Sequence, residues 1–519
     1  MTPAFSRAWE LRPAPSDTSA EIFSRYPSVV ATLLWQRGVT TPELAEHFFH
    51  PSYADHLADP FLFQQMREAV EEITSAIRDG WKIMVHGDYD ADGVTSTALL
   101  VDALRQLGGQ VEWFVPNRFS EGYGLKMDTV RKFARDGVQL LITVDCGSTN
   151  VEEIQLAKER GMHVVVLDHH HQPTTLPPAD AIINPVFNDE TYPFRGHSSA
   201  GVAFTVIRAI IQTTENGKTL GHPQPDGWEK WLLDLVAIST VADMMPLRGE
   251  NRVFVHYGVR VIRQTRRVGL RALLAHGGVK LQEVTERTIG FHIGPRLNAA
   301  GRLEHASTAV ELLLTKERTM ADRLAADLER INNDRRRLTD AATSEAWEHI
   351  QTQGDVGAHA VFAPHWSPGV LGLVAGRLAE RVGRPVFVMT ENDRQVVGSG
   401  RSGSALDLMT IMNAGKEHFA QFGGHPGACG FTLQSPDQRE LFESWLRTYM
   451  SDAASQPQMA PLVLDAEVRA ADVSPTFLDA IEQLAPFGMD AQRPLFLLRD
   501  ITVRSMQFVG ADQQHVRLR

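Results

Sequence analysis

The sequence predicts an α/β protein: a parallel-sheet domain joined by a long helix to a smaller α/β domain, followed by a β-rich C-terminal segment. Three observations predict it. Between residues 81 and 184 short apolar runs alternate with stretches of helical spacing, the pattern of a parallel sheet with crossover helices. Residues 315–352 are polar, with Leu324, Leu328, Ile331 and Leu338 spaced as on one helix face. A second alternation begins near His359 and gives way after residue 461 to short strand-like pieces.

Taken in order, residues 1–75 read as a leader with short helices over 28–36 and 42–49, separated by turn residues. The catalytic α/β domain is expected over 76–258. Its strands fall at 81–87, 111–116, 138–144, 163–167 and 181–184, and helices at 93–107, 128–136 and 152–160 fill the gaps. Residues 259–352 hold a basic segment and the long connecting helix. Residues 353–450 form the second α/β domain, with a strand at 385–389 and the Gly-rich segments Gly398-Ser-Gly-Arg-Ser and Phe422-Gly-Gly-His-Pro-Gly. Residues 451–461 read as a linker, and strand-like pieces follow at 462–468, 494–498 and 501–507.

The 519 residues exceed what one hydrophobic core organises, and 43% apolar content excludes global disorder. No apolar run is long enough to cross a bilayer, and residues 1–17 lack a signal-type stretch. Two cysteines, Cys146 and Cys429, each sit inside a Gly-rich motif, which argues against a disulfide framework and fits a reducing cytoplasm. The net charge of −12 argues against a generally basic nucleic-acid binder, but Arg260, Arg263, Arg266, Arg267, Arg271 and Lys280 form a run free of acids. That run reads either as a phosphate-binding stripe or as a solvated face.

Four acidic patches carry the chemistry. Gly87-Asp-Tyr-Asp-Ala-Asp-Gly93, Asp145-Cys-Gly and Asp168-His-His-His each follow a predicted strand, and Asp243 follows an apolar run expected to be helical. Ligand sites of open parallel sheets lie beyond the carboxyl ends of the strands, so the fold itself gathers these segments. Asp88 and Asp90 can face one ion or two, Asp145 can bridge, His169 adds an imidazole and Asp243 a further carboxylate. Carboxylates packed so closely repel and need cations to stay ionised. The mixed oxygen and nitrogen set suits Mn²⁺, with Mg²⁺ as the harder alternative, and two such ions about 3.5–4 Å apart clamp an in-line phosphoryl displacement.

These patches, in this order, resemble the DHH phosphoesterase superfamily, whose Asp-His-His motif is here Asp168-His169-His170. Val85-His-Gly-Asp-Tyr-Asp-Ala-Asp-Gly-Val, Thr143-Val-Asp-Cys-Gly, Ser239-Thr-Val-Ala-Asp and Gly294-Pro-Arg-Leu-Asn-Ala-Ala-Gly-Arg tighten the match to the RecJ family, as do the two Gly-rich segments of the second domain. The resemblance spans roughly residues 75–510. It implies a single-strand-specific 5′→3′ DNA exonuclease of recombination and repair, with two Mn²⁺ or Mg²⁺ ions. It implies metal ligands at Asp88, Asp90, Asp145, His169 and Asp243. It places His170 beside the scissile phosphate, Asp168 behind a ligand, and His86 as a further ligand or supporting group. His171 is expected to be a surface residue without a role.

The resemblance further implies a pocket for the 5′ end lined by Arg118, Arg302, Ser399, Arg401 and His425, with Asn298 and Arg296 weaker candidates. Tyr123 and Phe119 are candidates to stack bases, Phe119 being equally suited to a core. The chain reads Trp366-Ser367-Pro-Gly-Val where the family often has a histidine in place of Ser367. Residues 460–519 resemble the start of the family's oligonucleotide-binding (OB) fold, so a partial OB-like barrel is expected, family members usually running on past Arg519. Single-strand-binding protein and a recombination helicase are the expected partners of a monomer. The alternatives are a superfamily small-nucleotide phosphodiesterase or pyrophosphatase, and a non-catalytic DNA-binding scaffold.

Overall fold

The structure is a computed structural model that describes residues 8–15, 25–354, 356–403, 406–452, 461–510 and 515–519. The chain forms two compact units. The larger comprises Pro51–Ala460 with Pro486–Ala491, and the smaller Met1–His50, Pro461–Ala485 and Gln492–Arg519.

The larger unit opens with helix α1 (Met66–Arg78), which buries Ala69, Val70, Ile73, Ala76 and Ile77 along one stripe. That stripe explains why residues 51–75, read with the leader, cluster with the larger unit. Then follow β1 (Lys82–His86), α2 (Ala91–Gln106), β2 (Gln110–Phe114), α3 (Met127–Arg135), β3 (Leu140–Val144), α4 (Val151–Glu159), β4 (His163–Leu167) and β5 (Ala181–Ile183). All five expected strands are present, with ends displaced by at most two residues. Helix α2 begins two residues earlier than expected because the Asp90 side chain caps it, accepting from the amides of Asp92 and Gly93.

The strands pair in the order β2-β1-β3-β4-β5, all parallel. Strand β3 is buried throughout, as its unbroken apolar sequence requires of a sheet covered on both faces. The order reverses between β1 and β3, so the topological switch point lies where two acidic patches leave the sheet. Helices α5 (Ser199–Thr213), α6 (Leu233–Ala242) and α7 (Gly249–Arg263) complete the catalytic layer. Then come α8 (Val268–His276), α9 (Gly294–Leu303) and α10 (Ser307–Leu314).

Helix α11 (Arg318–Gln353) has 36 residues, roughly 54 Å of helix. Its first half buries Leu324, Leu328 and Ile331 in the catalytic core, and its second half buries Ala342, Ala346 and Ile350 in a different core. The second domain is β6 (His359–Phe362), α12 (Leu371–Val382), β7 (Val386–Asn392), β8 (Gln395–Arg401), β9 (Phe419–His425), β10 (Ala428–Leu433) and α13 (Gln438–Asp452). Its sheet runs β9-β10-β8-β7-β6, with only β6 and β7 parallel. Residues 451 and 452 of the expected linker close α13, and 453–460 lie outside the described residues.

In the smaller unit the helices Ser28–Gln36 and Pro42–Phe49 form as expected, the second capped by the Thr41 side chain. Trp9–Leu11 pairs with Leu462–Leu464, Ala466–Glu467 with Phe496–Leu497, and Met506–Val509 with His515–Leu518. The strand expected over 501–507 is displaced. After the left-handed turn at Asp500 (φ 53°) no ladder forms until Met506.

Candidate metal centre and nucleic-acid interface

The acidic patches converge beyond β1, β3 and β4. His169 Nε2 lies 3.3 Å from Asp145 Oδ1, 3.6 Å from Asp92 Oδ2 and 3.7 Å from Asp243 Oδ2. Asp88, Asp90 and Asp145 form a second group whose ligand atoms lie within 4.8 Å of one another. All five expected ligands are therefore brought together. The sequence reading gave no role to Asp92. Its signal was the third acid in an every-second-residue run, hidden because Asp92 already belongs to the first turn of α2.

Three of these carboxylates are held by donors of their own. Asp90 Oδ1 caps α2, and Asp92 accepts from the amides of Ser199 and Ala200 and from Ser239 Oγ (2.6 Å). Asp145 Oδ1 accepts from Ser199 Oγ at 2.9 Å. Asp145 also takes a left-handed backbone conformation (φ 62°), which a non-glycine residue adopts at a cost, most readily when it is Asp or Asn. Asp88 Oδ1 is buried with no hydrogen-bond partner among the described residues.

Burial, followed by neighbouring carboxylates, drives Asp88, Asp145 and Asp243 upward in pKa. Burial and then Asp90 raise Asp88, and burial and then Asp92, Asp90, Asp88 and Asp243 raise Asp145. Asp243 is pushed up to about 8 by burial and then by Asp92 and Asp90. Burial also pushes the His169 imidazole down, toward the neutral form a metal requires. Crowded oxygens, one without a partner, and a neutral imidazole fit divalent cations of the Mn²⁺ or Mg²⁺ kind.

Asp168 supports the cage from behind. Its carboxylate accepts from the amides of Ser148, His169 and His170 and meets His170 Nδ1 at 2.8 Å. Burial acts against ionising Asp168, but its hydrogen bonds to His170 and Ser148 outweigh it and hold the acid well below the usual range. Burial likewise acts against charging His170, yet Asp168 raises it to about 9. Tyr123 packs edge-on against His170 and donates to the Asp145 carbonyl (3.0 Å). His86 is not part of the cage. Its ring sits beside Phe114 and Phe133 with Nδ1 3.6 Å from Cys146 Sγ, and burial lowers its pKa to about 4.

A cavity of about 400 Å³ opens in front of the cage, and Arg118, Arg302, Asn298 and Tyr123 share its walls with the acids. Arg118 lies over the Tyr89 ring (5.1 Å), and Asn298 Oδ1 accepts from the Ala91 amide, tying α9 to the start of α2. The pKa of Arg302 is lowered to about 10, first by burial and then by Arg118 and Arg335. Arg401, lowered by burial and sensing Arg118, donates to Ser399 Oγ (3.1 Å) and the Gly400 carbonyl. Guanidiniums from α9, α11, β8 and the loop after β2 thus repel one another at this wall. Arg335 was missed because on α11 it reads as one more solvated cation. Its Nε is buried without a partner among the described residues.

The two domains touch at this cleft. Arg302 Nη1 reaches the Gly369 carbonyl (3.5 Å), and a Cβ on Gly369 would stand 1.8 Å from the Arg302 carbonyl oxygen. Ser367 precedes the adjoining turn Pro368–Val370 in extended backbone, with no side-chain cap hydrogen bond. His171 is exposed, as expected, but its ring faces His425 at 5.8 Å. Phe119 is 42% exposed and Tyr123 39%, so Phe119 is not a core residue.

Arg296, a weaker candidate for the pocket, is not in it, and the phosphate-stripe reading of the basic run is not supported. Arg296 is buried and engaged by Glu329 (2.6 Å) and the His292 carbonyl, away from the cavity. The basic run does not form one phosphate-binding face. Arg267 is paired with Asp102 and Asp234, Arg266 stacks on Trp231, Arg263 donates to the Val284 carbonyl and Lys280 pairs with Glu283.

The chain matches the DHH family N-terminal domain over residues 82–240, the DHHA1 domain over 355–452 and the RecJ OB domain over 464–519. It is 36% identical to the single-stranded-DNA-specific exonuclease RecJ of Bacillus subtilis, over 98% of this chain and 64% of that protein. It is 35% identical to the RecJ of Dickeya dadantii, over 98% of this chain and 89% of that one. Its fold matches the crystal structure of Thermus thermophilus RecJ in complex with Mn²⁺ at a TM-score of 0.84 and 29% identity, covering 99% of this chain and 72% of that one. The chain thus spans just under two thirds of its Bacillus relative.

Proposed function

The chain belongs to the RecJ family, and from that premise we propose that it is a metal-dependent exonuclease that degrades single-stranded DNA from the 5′ end to mononucleotides. The observation that carries this reading is the pairing of a buried acidic cage with a wall of unneutralised guanidiniums across one cavity. Asp88, Asp90, Asp145, His169 and Asp243 are proposed to hold two Mn²⁺ or Mg²⁺ ions, with Asp92 added to them. Bound there, such ions activate water and neutralise the scissile phosphate.

The protein's own groups do the rest. Arg118, Arg302 and Arg401 grip the phosphates of the 5′ end, since guanidinium forks match phosphate oxygens. Ser399, Asn298 and His425 complete the contacts, with Ser399 and Asn298 already ordered by hydrogen bonds of their own. His170, positively charged at neutral pH, lies beside the scissile phosphate and donates to it, while Asp168 fixes its orientation. His86 is left as a supporting group behind β1. Tyr123 and Phe119 offer faces on which unpaired bases stack.

We take 76–258 as the catalytic domain, 353–450 as the substrate-binding domain and 460–519 as OB-type, with 1–75 a leader and 259–352 a connector. A role in recombination and repair, a monomeric state, and contacts with single-strand-binding protein and a recombination helicase are carried over from the family resemblance. A cytoplasmic location fits the two free buried cysteines. No helix among the described residues is long and apolar enough to cross a membrane.

The test is to incubate the protein with Mn²⁺ or Mg²⁺ and 5′-labelled single-stranded DNA, duplex DNA or dinucleotides. Mononucleotide release from single strands supports the proposal. Turnover of dinucleotides alone would transfer it to a small-nucleotide phosphodiesterase, and binding without turnover to a scaffold.

A further inference from the structure

A second cavity in the larger unit, about 510 Å³, lies away from the acidic cage. It lies at the far end of α2, where Asp102 and Gln106 line it, whereas the cage is built on that helix's first turn at Asp92. Ten residues of helix separate Asp92 from Asp102, roughly 15 Å. The volume falls in the range of about 300–1,000 Å³ usual for small-molecule sites.

Its walls have a definite chemistry. Trp228 and Trp231 supply two indoles, and the Arg266 guanidinium lies 3.8 Å from the centroid of the Trp231 ring. Lys316 adds a second cation at the rim. Deeper, Arg267 is pinned by Asp102 (2.8 Å) and Asp234 (3.0 Å), so its charge is already matched. Gln224 Nε2 donates to the Gln106 carbonyl (2.8 Å) and steadies one edge. Trp228 Nε1 is buried with no acceptor among the described residues, although it stands in a wall of this cavity. An unpaired buried N–H costs stability unless something satisfies it. The free charge of the rim is thus positive, from Arg266 and Lys316, beside a flat aromatic face.

We propose that this cavity is a second binding site, for a nucleoside monophosphate. The base stacks on Trp231 in line with Arg266, as bases do on aromatic faces. The phosphate sits between Arg266 and Lys316. Among planar anions, the choice of a nucleoside monophosphate rests on the proposed reaction, which releases that class.

The test uses the full-length Asp145→Ala variant in EDTA, so that neither turnover nor the metal centre contributes. Titration with dAMP, read by tryptophan fluorescence and calorimetry, is expected to show saturable binding. Adding Arg266→Glu, an exposed position, weakens binding by about tenfold or more, the scale of losing one charge-assisted phosphate contact. Trp231→Ala does the same. In the wild-type background neither substitution changes exonuclease rate by more than about twofold, as expected for a site away from the chemistry. Absence of saturation with dAMP, or equal affinity in the Arg266→Glu and parent proteins, overturns the proposal. So does inorganic phosphate binding as tightly as dAMP, since the indole face would then be idle. Binding of dAMP by a protein that degrades no DNA leaves this site standing and removes the exonuclease reading instead.

Discussion

The two walls of the cleft face opposite electrostatic problems. The acidic wall crowds six proposed ligand side chains: Asp90, Asp92 and Asp145 are anchored by backbone amides, hydroxyls or a helix cap, whereas Asp88 Oδ1 is buried with no partner among the described residues. The basic wall draws Arg118, Arg302, Arg335 and Arg401 from four separate elements, and at Arg302 burial, followed by Arg118 and Arg335, lowers the pKa. The first wall is rigid and wants cations, and the second is assembled across a domain junction and wants anions. A divalent ion and a phosphate satisfy both at once. On the proposed function, the anchored acids sit where bonds would be broken, and the guanidiniums sit where the strand would be held.

The largest expected effect breaks the acidic wall. Asp145→Ala should lower exonuclease turnover by about 10³-fold or more, the scale of removing a group that acts in the transition state. A folded variant with full activity in the labelled-strand assay would refute the cage. Asp145→Asn should at the same time raise, or leave unchanged, the melting temperature of the protein in EDTA, because it removes a repelling carboxylate.

The next effect concerns pH. A carboxyl whose folded pKa lies above its unfolded value binds its proton more tightly in the folded state, so folding loses stability as pH rises from the unfolded pKa toward the folded one. Asp243, raised to about 8, therefore makes the metal-free protein less stable across pH 4 to 8. Scanning calorimetry in EDTA should show melting temperature falling over that window, and saturating Mn²⁺ should cancel the fall, since metal binding displaces those protons. A flat profile without metal would show that the acids do not repel.

A smaller effect sharpens the basic wall. Arg302→Ala should raise KM for single-stranded DNA by about 10–100-fold, the worth of one charged hydrogen-bonding partner, with kcat changed far less. The log–log salt dependence of binding should flatten by about 0.7. A loss in kcat alone would move Arg302 from holding the strand to the reaction itself. The smallest effect is Lys280→Glu, expected to change affinity by less than about twofold because Lys280 is exposed and already paired with Glu283.

The acidic wall was largely legible in the sequence because strand periodicity puts carboxylates at strand ends and the parallel order gathers them. Asp92 escaped because the same residue that lines the cage also opens α2. The basic wall was half legible: Arg118, Arg302 and Arg401 stand in motif contexts, whereas Arg335 is one of several arginines on a long polar helix. The basic run after residue 259 was left open between two readings for a physical reason. Its partners, Asp102 on α2 and Asp234 on α6, are remote in sequence, so local charge could not reveal that Arg267 is neutralised in the interior. His171 is the exposed residue expected, and only its proximity to His425, contributed by the other domain, was not legible in the sequence.

Helix α11 carries a mechanical consequence. One unbroken rod is rooted in both cores, with Leu328 and Ile331 in the first, Ala342 and Ala346 in the second, and Arg335 between them. Widening the gap between the domains therefore means bending a continuous helix rather than flexing a loop. The rod works as a caliper, holding the jaws at a set gauge. Whatever enters the gap meets a width set by a continuous helix rather than by a loop.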